Sequence, residues 1–219
     1  MKNFWLDVIL IVLFVAEMCF QMLPKILHEI LGVAMAAAII LHVVWNWRCF
    51  TSKLKKLTRR KIFSAAIIFA TAICTAIILA SGVCMSNYLF PDAVSGELRR
   101  NMTIHQLHVS APYWLMILIG VHIGLHLREL RQRLLNFFGA ENFYRRNEKF
   151  FDIAAILSFS AIGVFGLIAN RVADRILMKH IFATPATDLP AAIFALMIFG
   201  VIMFFALITS FVDENFVRN

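Results

Sequence analysis

The sequence predicts an all-α fold, a polytopic bundle of six transmembrane helices. Two observations carry that prediction. Hydrophobic residues make up 61% of the 219 residues and charged residues 16%, whereas a soluble domain averages about 45–50% apolar and about 25% charged. The apolar residues also come in runs near the ~20 that a helix needs to cross a bilayer. The formal charge of +8 points to no nucleic acid, because the basic residues sit in short loops between apolar runs, where membrane topology accounts for them.

The first span runs from Phe4 to Met22, where Pro24 breaks the chain. It begins with a single lysine and contains Glu17, with no small-residue cleavage site, so it reads as a retained helix and not a signal peptide. The second runs from Ile26 to Trp47, the third from Ile62 to Ser81 and the fourth from Ile104 to Leu127. The fifth covers Phe151 to Asn170 and the sixth Leu189 to Phe211. The chain is one domain, residues 1–219, with a core over about 4–127 and the last two helices over about 150–211.

Loop charges set the orientation. Arg48, Lys53, Lys55, Lys56, Arg59, Arg60 and Lys61 follow the second span. Arg128, Arg131, Arg133, Arg145, Arg146 and Lys149 follow the fourth. With Lys2 and Arg218 this side holds 15 basic residues, against 6 on the other: Lys25, Arg99, Arg100, Arg171, Arg175 and Lys179. Basic loops remain cytoplasmic. Both termini are therefore expected inside a bacterial inner membrane, with the second and fourth helices running from outside to inside. Trp45 and Trp47 fit an inner interfacial belt.

Of the seven histidines, six lie in or at the ends of two spans: His28 and His42 in the second, His105, His108, His122 and His126 in the fourth. Ionisable residues inside a membrane are expensive and mark function. His28 and His42 are 14 residues apart, as are His108 and His122. Fourteen steps return to within about 40° of one helix face and separate two levels by about 21 Å. Because the two helices run the same way, His28 meets His108 at the outer level and His42 meets His122 at the inner one. Haem iron takes two axial ligands on opposite faces of a flat ring, and imidazoles on facing helices supply them. The expected cofactors are two haem b groups in a four-helix haem-binding core, with a quinone as a further candidate.

Small residues beside a porphyrin are expected at Gly32, with Ala36 a turn further on, and at Gly120 and Gly124, which flank His122; ordinary helix packing uses small residues too. His126, one turn past His122, is an alternative inner ligand, propionate partner or quinone-site residue, and simple interfacial placement serves it equally. His105 competes with His108 in the same way, and His180 reads as a surface residue. Lys25, Arg99 and Arg100 outside, and Arg48, Lys53 and Arg128 inside, are topology charges first and propionate partners second. Glu17 and Glu29 read as interfacial carboxylates, with proton relay to a quinone as the alternative. Cys19, Cys49, Cys74 and Cys84 form no C-x-x-C pair and read as small buried apolar residues.

The segment Leu23-Pro24…His28-Glu29…Gly32…His42…Asn46-Trp47 resembles the second helix of the flavinylation-associated cytochrome b family. Ile104-His105-Gln106-Leu107-His108…Tyr113-Trp114…Gly120-Val121-His122-Ile123-Gly124-Leu125-His126 resembles that family's later haem-binding helix, and Ser81-Gly82…Ser86 its intervening loop. The likeness covers residues 23–127 and extends distantly to the cytochrome b subunits of hydrogenases and formate dehydrogenases. It implies a membrane cytochrome passing electrons between the quinone pool or a cytoplasmic donor and an extracytosolic flavin-binding or iron–sulfur protein. The last two helices carry no part of it.

The chain has no glycine-rich nucleotide fingerprint and no segment outside the spans large enough to hold flavin or NAD(P)H. Electron transfer between partners is thus the economical reading, with no catalytic residue assigned. Two rivals remain. One is a ferric-reductase-like membrane core. The other is a metal-ion transporter whose histidines bind copper, zinc or iron; it requires clustered ligands, and only His122 and His126 form an i, i+4 pair.

Overall fold

A computed structural model describes residues 2–53, 58–179 and 188–214; His180, Lys55, Lys56 and Arg218 lie outside them. The helices are α1 (Lys2–Met18), α2 (Lys25–Lys53), α3 (Arg59–Met85), α4 (Gly96–Arg99), α5 (Met102–Gly124), α6 (Leu127–Phe138), α7 (Glu141–Arg146), α8 (Glu148–Ala169), α9 (Val172–Ile176) and α10 (Ala191–Val212). No strand occurs among the described residues.

Five of these, α2, α3, α5, α8 and α10, are long and apolar enough to cross a membrane. They match the second to sixth predicted spans. The first differs: α1 has 17 residues, about 25 Å at 1.5 Å per residue, and ends in a 3-10 turn over Phe20–Met22 before Pro24. The chain turns at the proline because Pro24 has no N–H to continue a helix.

Local chemistry fixes the other ends. Thr58 caps α3, and the Asn101 side chain accepts from the Thr103 and Ile104 amides at the start of α5, satisfying donors that the first helical turn leaves unpaired. Gly139, at φ 63°, ends α6 in the left-handed region that a residue without Cβ enters freely. The amphipathic helix α6 and the short α7 both fall within the basic stretch that follows the fourth span.

Side-chain contacts give the directions of the helices. Glu17 meets His28 and Asp7 meets His42, so α1 and α2 are antiparallel. Ser81 near the end of α3 meets His108 near the start of α5, while Arg60 at the start of α3 bonds the Leu125 carbonyl just past the end of α5. Hence α3 opposes α5; Glu29 near the start of α2 accepts from the Leu89 amide just past the end of α3, so α2 opposes α3 as well and runs the same way as α5. The start of α1, the start of α3 and the end of α10 share one end of the bundle.

The tightest packing lies around α10. Met116 on α5 and Ile198, Val201, Ile202 and Ala206 on α10 are fully buried. A Cβ on Gly120 would stand 2.6 Å from the Ile202 carbonyl oxygen, and one on Gly124 2.5 Å from that of Ala206. Gly163 and Gly166 on α8 press on the other flank of α10, each 2.9 Å by the same measure from the carbonyl oxygens of Gly200 and Met197 respectively. Small residues let helix backbones approach this closely. By contrast, among the described side chains α2 buries only Met35 and Ala38. It lies along α1 and touches α3 lightly.

At the basic end, Arg60 joins three helix ends. Its Nε donates to both carboxylate oxygens of the buried Asp213, at 2.8 and 3.0 Å, and its Nη2 to the Leu125 carbonyl at 3.0 Å.

Candidate functional site

The residues that converge are on α1, α2, α3 and α5. His28 and His108 bring their rings to 6.2 Å between centroids, with planes 80° apart. They come from different helices, and each has its Nδ1 engaged elsewhere. The Nδ1 of His28 lies 2.7 Å from Glu17 Oε2, a close polar contact without the in-line geometry of a full hydrogen bond. The Nδ1 of His108 lies 3.0 Å from Ser81 Oγ. That hydroxyl lies 2.6 Å from the Ile77 carbonyl and donates to it, so its oxygen accepts from the His108 N–H. With Nδ1 carrying the proton, Nε2 of His108 presents a lone pair.

Two imidazoles on opposite sides of one metal ion place their ring centres roughly 6.4 Å apart, from ~2 Å between each nitrogen and the metal and ~1.2 Å from nitrogen to ring centre. The 6.2 Å of His28 and His108 lies within a few tenths of an ångström of that. Partners on the second ring nitrogen are also what metal-bound histidines have, since they fix tautomer and ring orientation.

Neighbouring residues hold His108 in place. A Cβ on Gly82 would meet His108 Cε1 at 3.2 Å, so glycine there leaves room for the imidazole against α3. Pro112 lies inside α5, four residues after His108, and withholds the N–H that the His108 carbonyl would otherwise accept. Phe20 lies against His28, with ring centroids 5.7 Å apart.

The second level has the same partner chemistry on α2. His42 Nδ1 lies 2.9 Å from Asp7 Oδ1. On α5 the His122 ring makes an edge contact with His126, centroids 5.5 Å apart. His105 is half-buried near the start of α5.

The glycines divide. Gly32 faces the Glu17 carboxylate, 4.0 Å from where its Cβ would be, and meets nothing closer. Gly120 and Gly124, expected beside a flat ring, lie against α10, whose backbone their missing side chains admit. Glu29 is also accounted for: its carboxylate accepts from Ser86 Oγ at 2.7 Å and from the amides of Asn87, Tyr88 and Leu89, tying α2 to the loop after α3. Of the expected propionate partners, Arg99 buries its Nε without a hydrogen-bond partner.

Sequence reasoning passed over Asp7 and the hydroxyl of Ser81. Asp7 carried a usable signal, being an acidic residue within an apolar run; its partner, 35 residues away, was not visible from spacing. Among the described residues, no three His, Cys, Asp or Glu side chains come together as a metal-ion cage. Cys19, Cys74 and Cys84 are free thiols, and Cys74 donates to the Ala111 carbonyl at 3.1 Å.

Comparison with family models, with curated proteins and with solved structures finds no match to this chain.

Proposed function

We propose that the chain is a transmembrane di-haem b-type cytochrome. His28 and His108 would hold an outer haem, and His42 and His122 an inner one. The observation that carries the reading is the 6.2 Å approach of the His28 and His108 rings from two parallel helices, each with its Nδ1 already engaged. The light packing of α2, which leaves half-buried histidines on it, and the unpartnered Nε of Arg99, suited to an anionic propionate, support it further. A haem needs only two protein ligands, so the absence of a three-ligand cage among the described residues is compatible with it.

Haem, when bound, supplies one-electron chemistry at its iron. The chain's own residues hold the imidazoles at two levels about 21 Å apart on apolar helices. Ser81 keeps His108 in the tautomer whose Nε2 is a ligand. On this reading electrons pass between a quinone or cytoplasmic donor and an extracytosolic flavin or iron–sulfur partner, across an inner membrane with both termini cytoplasmic.

The test is a visible spectrum of the purified protein, oxidised and dithionite-reduced. Two six-coordinate b haems per chain are expected, with sharp reduced α and Soret bands. His28→Ala or His108→Ala is expected to remove one haem, and His42→Ala or His122→Ala the other. A colourless preparation from haem-replete cells overturns the reading.

A further inference from the structure

Helix α1 has two acidic residues, Asp7 and Glu17. Each reaches the Nδ1 of a different histidine on α2: Glu17 that of His28 at 2.7 Å, Asp7 that of His42 at 2.9 Å. A carboxylate inside an apolar bundle is costly to hold, and an interfacial role would need only that it reach water. These two instead repeat one arrangement at two levels, on the ring nitrogen that a metal ligand leaves over. We infer that α1 is a tuning helix: Glu17 and Asp7 are positioning residues that hold the two α2 imidazoles and lower the reduction potentials of the metal centres those imidazoles serve. The inference rests on the di-haem reading above.

The physical chain is short. A carboxylate beside Nδ1 stabilises positive charge on the imidazole, makes it a stronger electron donor and steadies its orientation. A more basic ligand and a nearby negative charge both favour the oxidised, more positive iron, so the potential falls. The two levels differ in strength. The Glu17 side chain is 10% exposed and that of Asp7 33%, so the protein encloses the Asp7 carboxylate less closely than that of Glu17. The opposite ligand at the outer level, His108, has the neutral hydroxyl of Ser81 in the same place. The outer centre thus takes its carboxylate from α1 alone.

The experiment is a redox titration of the purified holoprotein, followed by visible absorbance, with electron paramagnetic resonance of the oxidised form. The wild type is compared with E17Q, E17D and D7N. The component missing in His28→Ala identifies the outer centre. E17Q is expected to raise the outer midpoint by about tenfold in the reduction equilibrium, about 59 mV for one electron. It is also expected to shift the outer g-values, leaving the inner centre unchanged. D7N is expected to raise the inner midpoint by less. E17D, which keeps the charge, is expected to stay near the wild type; if E17Q does not retain its outer haem, the D7N midpoint at the inner centre reads the effect of charge removal. Two haems with unchanged or lowered midpoints in both E17Q and D7N overturn the inference and leave the cytochrome reading standing. An outer haem lost equally from E17Q and E17D also counts against it. A wild type without haem overturns both.

Discussion

Adding one methyl group at Gly124 tests how the bundle is held together. The Cβ of Gly124→Ala would lie 2.5 Å from the Ala206 carbonyl oxygen and 2.6 Å from Thr209 Cβ. Comfortable non-bonded contacts are about 3.5–4.0 Å, so α5 and α10 must separate by about 1 Å at this crossing. One contact is backbone and the other a Cβ, so no rotamer change relieves them. Overpacking of this kind costs about 1–3 kcal/mol, and parting two helices along a buried face places the effect at the upper end. The gain in helix propensity from Gly to Ala, about 1 kcal/mol, offsets part of it. A net loss of about 1–2 kcal/mol is expected, which for a chain of this size lowers the melting temperature by about 2–8 °C at ~2–4 °C per kcal/mol. Thermal unfolding in detergent, monitored by circular dichroism, measures it. Gly32→Ala is the control: its Cβ meets only Glu17 Oε2, at 4.0 Å, so stability is expected to stay equal or rise. A Gly124→Ala protein as stable as the wild type would refute the packing argument. So would a protein of undiminished stability that has lost one haem, for then the glycine serves the ring and not α10.

Three further outcomes are expected. Arg60→Ala removes the two hydrogen bonds that Arg60 gives the buried Asp213 carboxylate; because the Arg60 side chain is itself a third exposed, a cost of about 2–3 kcal/mol is expected in the same assay, and the double variant with Asp213→Ala should recover part of it. Glu29→Gln removes a charged acceptor from the amides of Asn87, Tyr88 and Leu89; their hydrogen exchange is expected to quicken about tenfold, equivalent to about 1.4 kcal/mol. The Tyr144 phenol is pushed up to about 12 by burial and by the hydrogen bond it donates to Asp152. Since the folded value lies above the usual 10, its contribution to stability is whole below pH 10 and is lost as the pH rises toward 12; a difference titration at the phenolate absorbance between wild type and Tyr144→Phe reads it.

The relation of sequence to structure is clearest residue by residue. Five spans were legible because apolar runs of bilayer length leave few alternatives to a helix. The shared direction of α2 and α5 followed from counting turns between them. The repeat of 14 between histidines was legible because helical periodicity is a local property. The purpose of Gly120 and Gly124 was not: a glycine on a helix face signals a close neighbour without naming it. Here α10, whose sequence resembled nothing placeable, supplies that neighbour.

By itself the sequence determined an apolar, all-helical chain with basic loops and six of its seven histidines in or at the ends of two helices. These follow from composition and from periods of a few residues, which a chain carries wherever it folds. The tertiary structure decided which side chains those histidines meet. Asp7 with His42, Glu17 with His28, Ser81 with His108 and Arg60 with Asp213 span from 11 to 153 residues. Such pairs depend on which helix faces turn toward one another, and that is set by the packing of the whole bundle, not by any one segment.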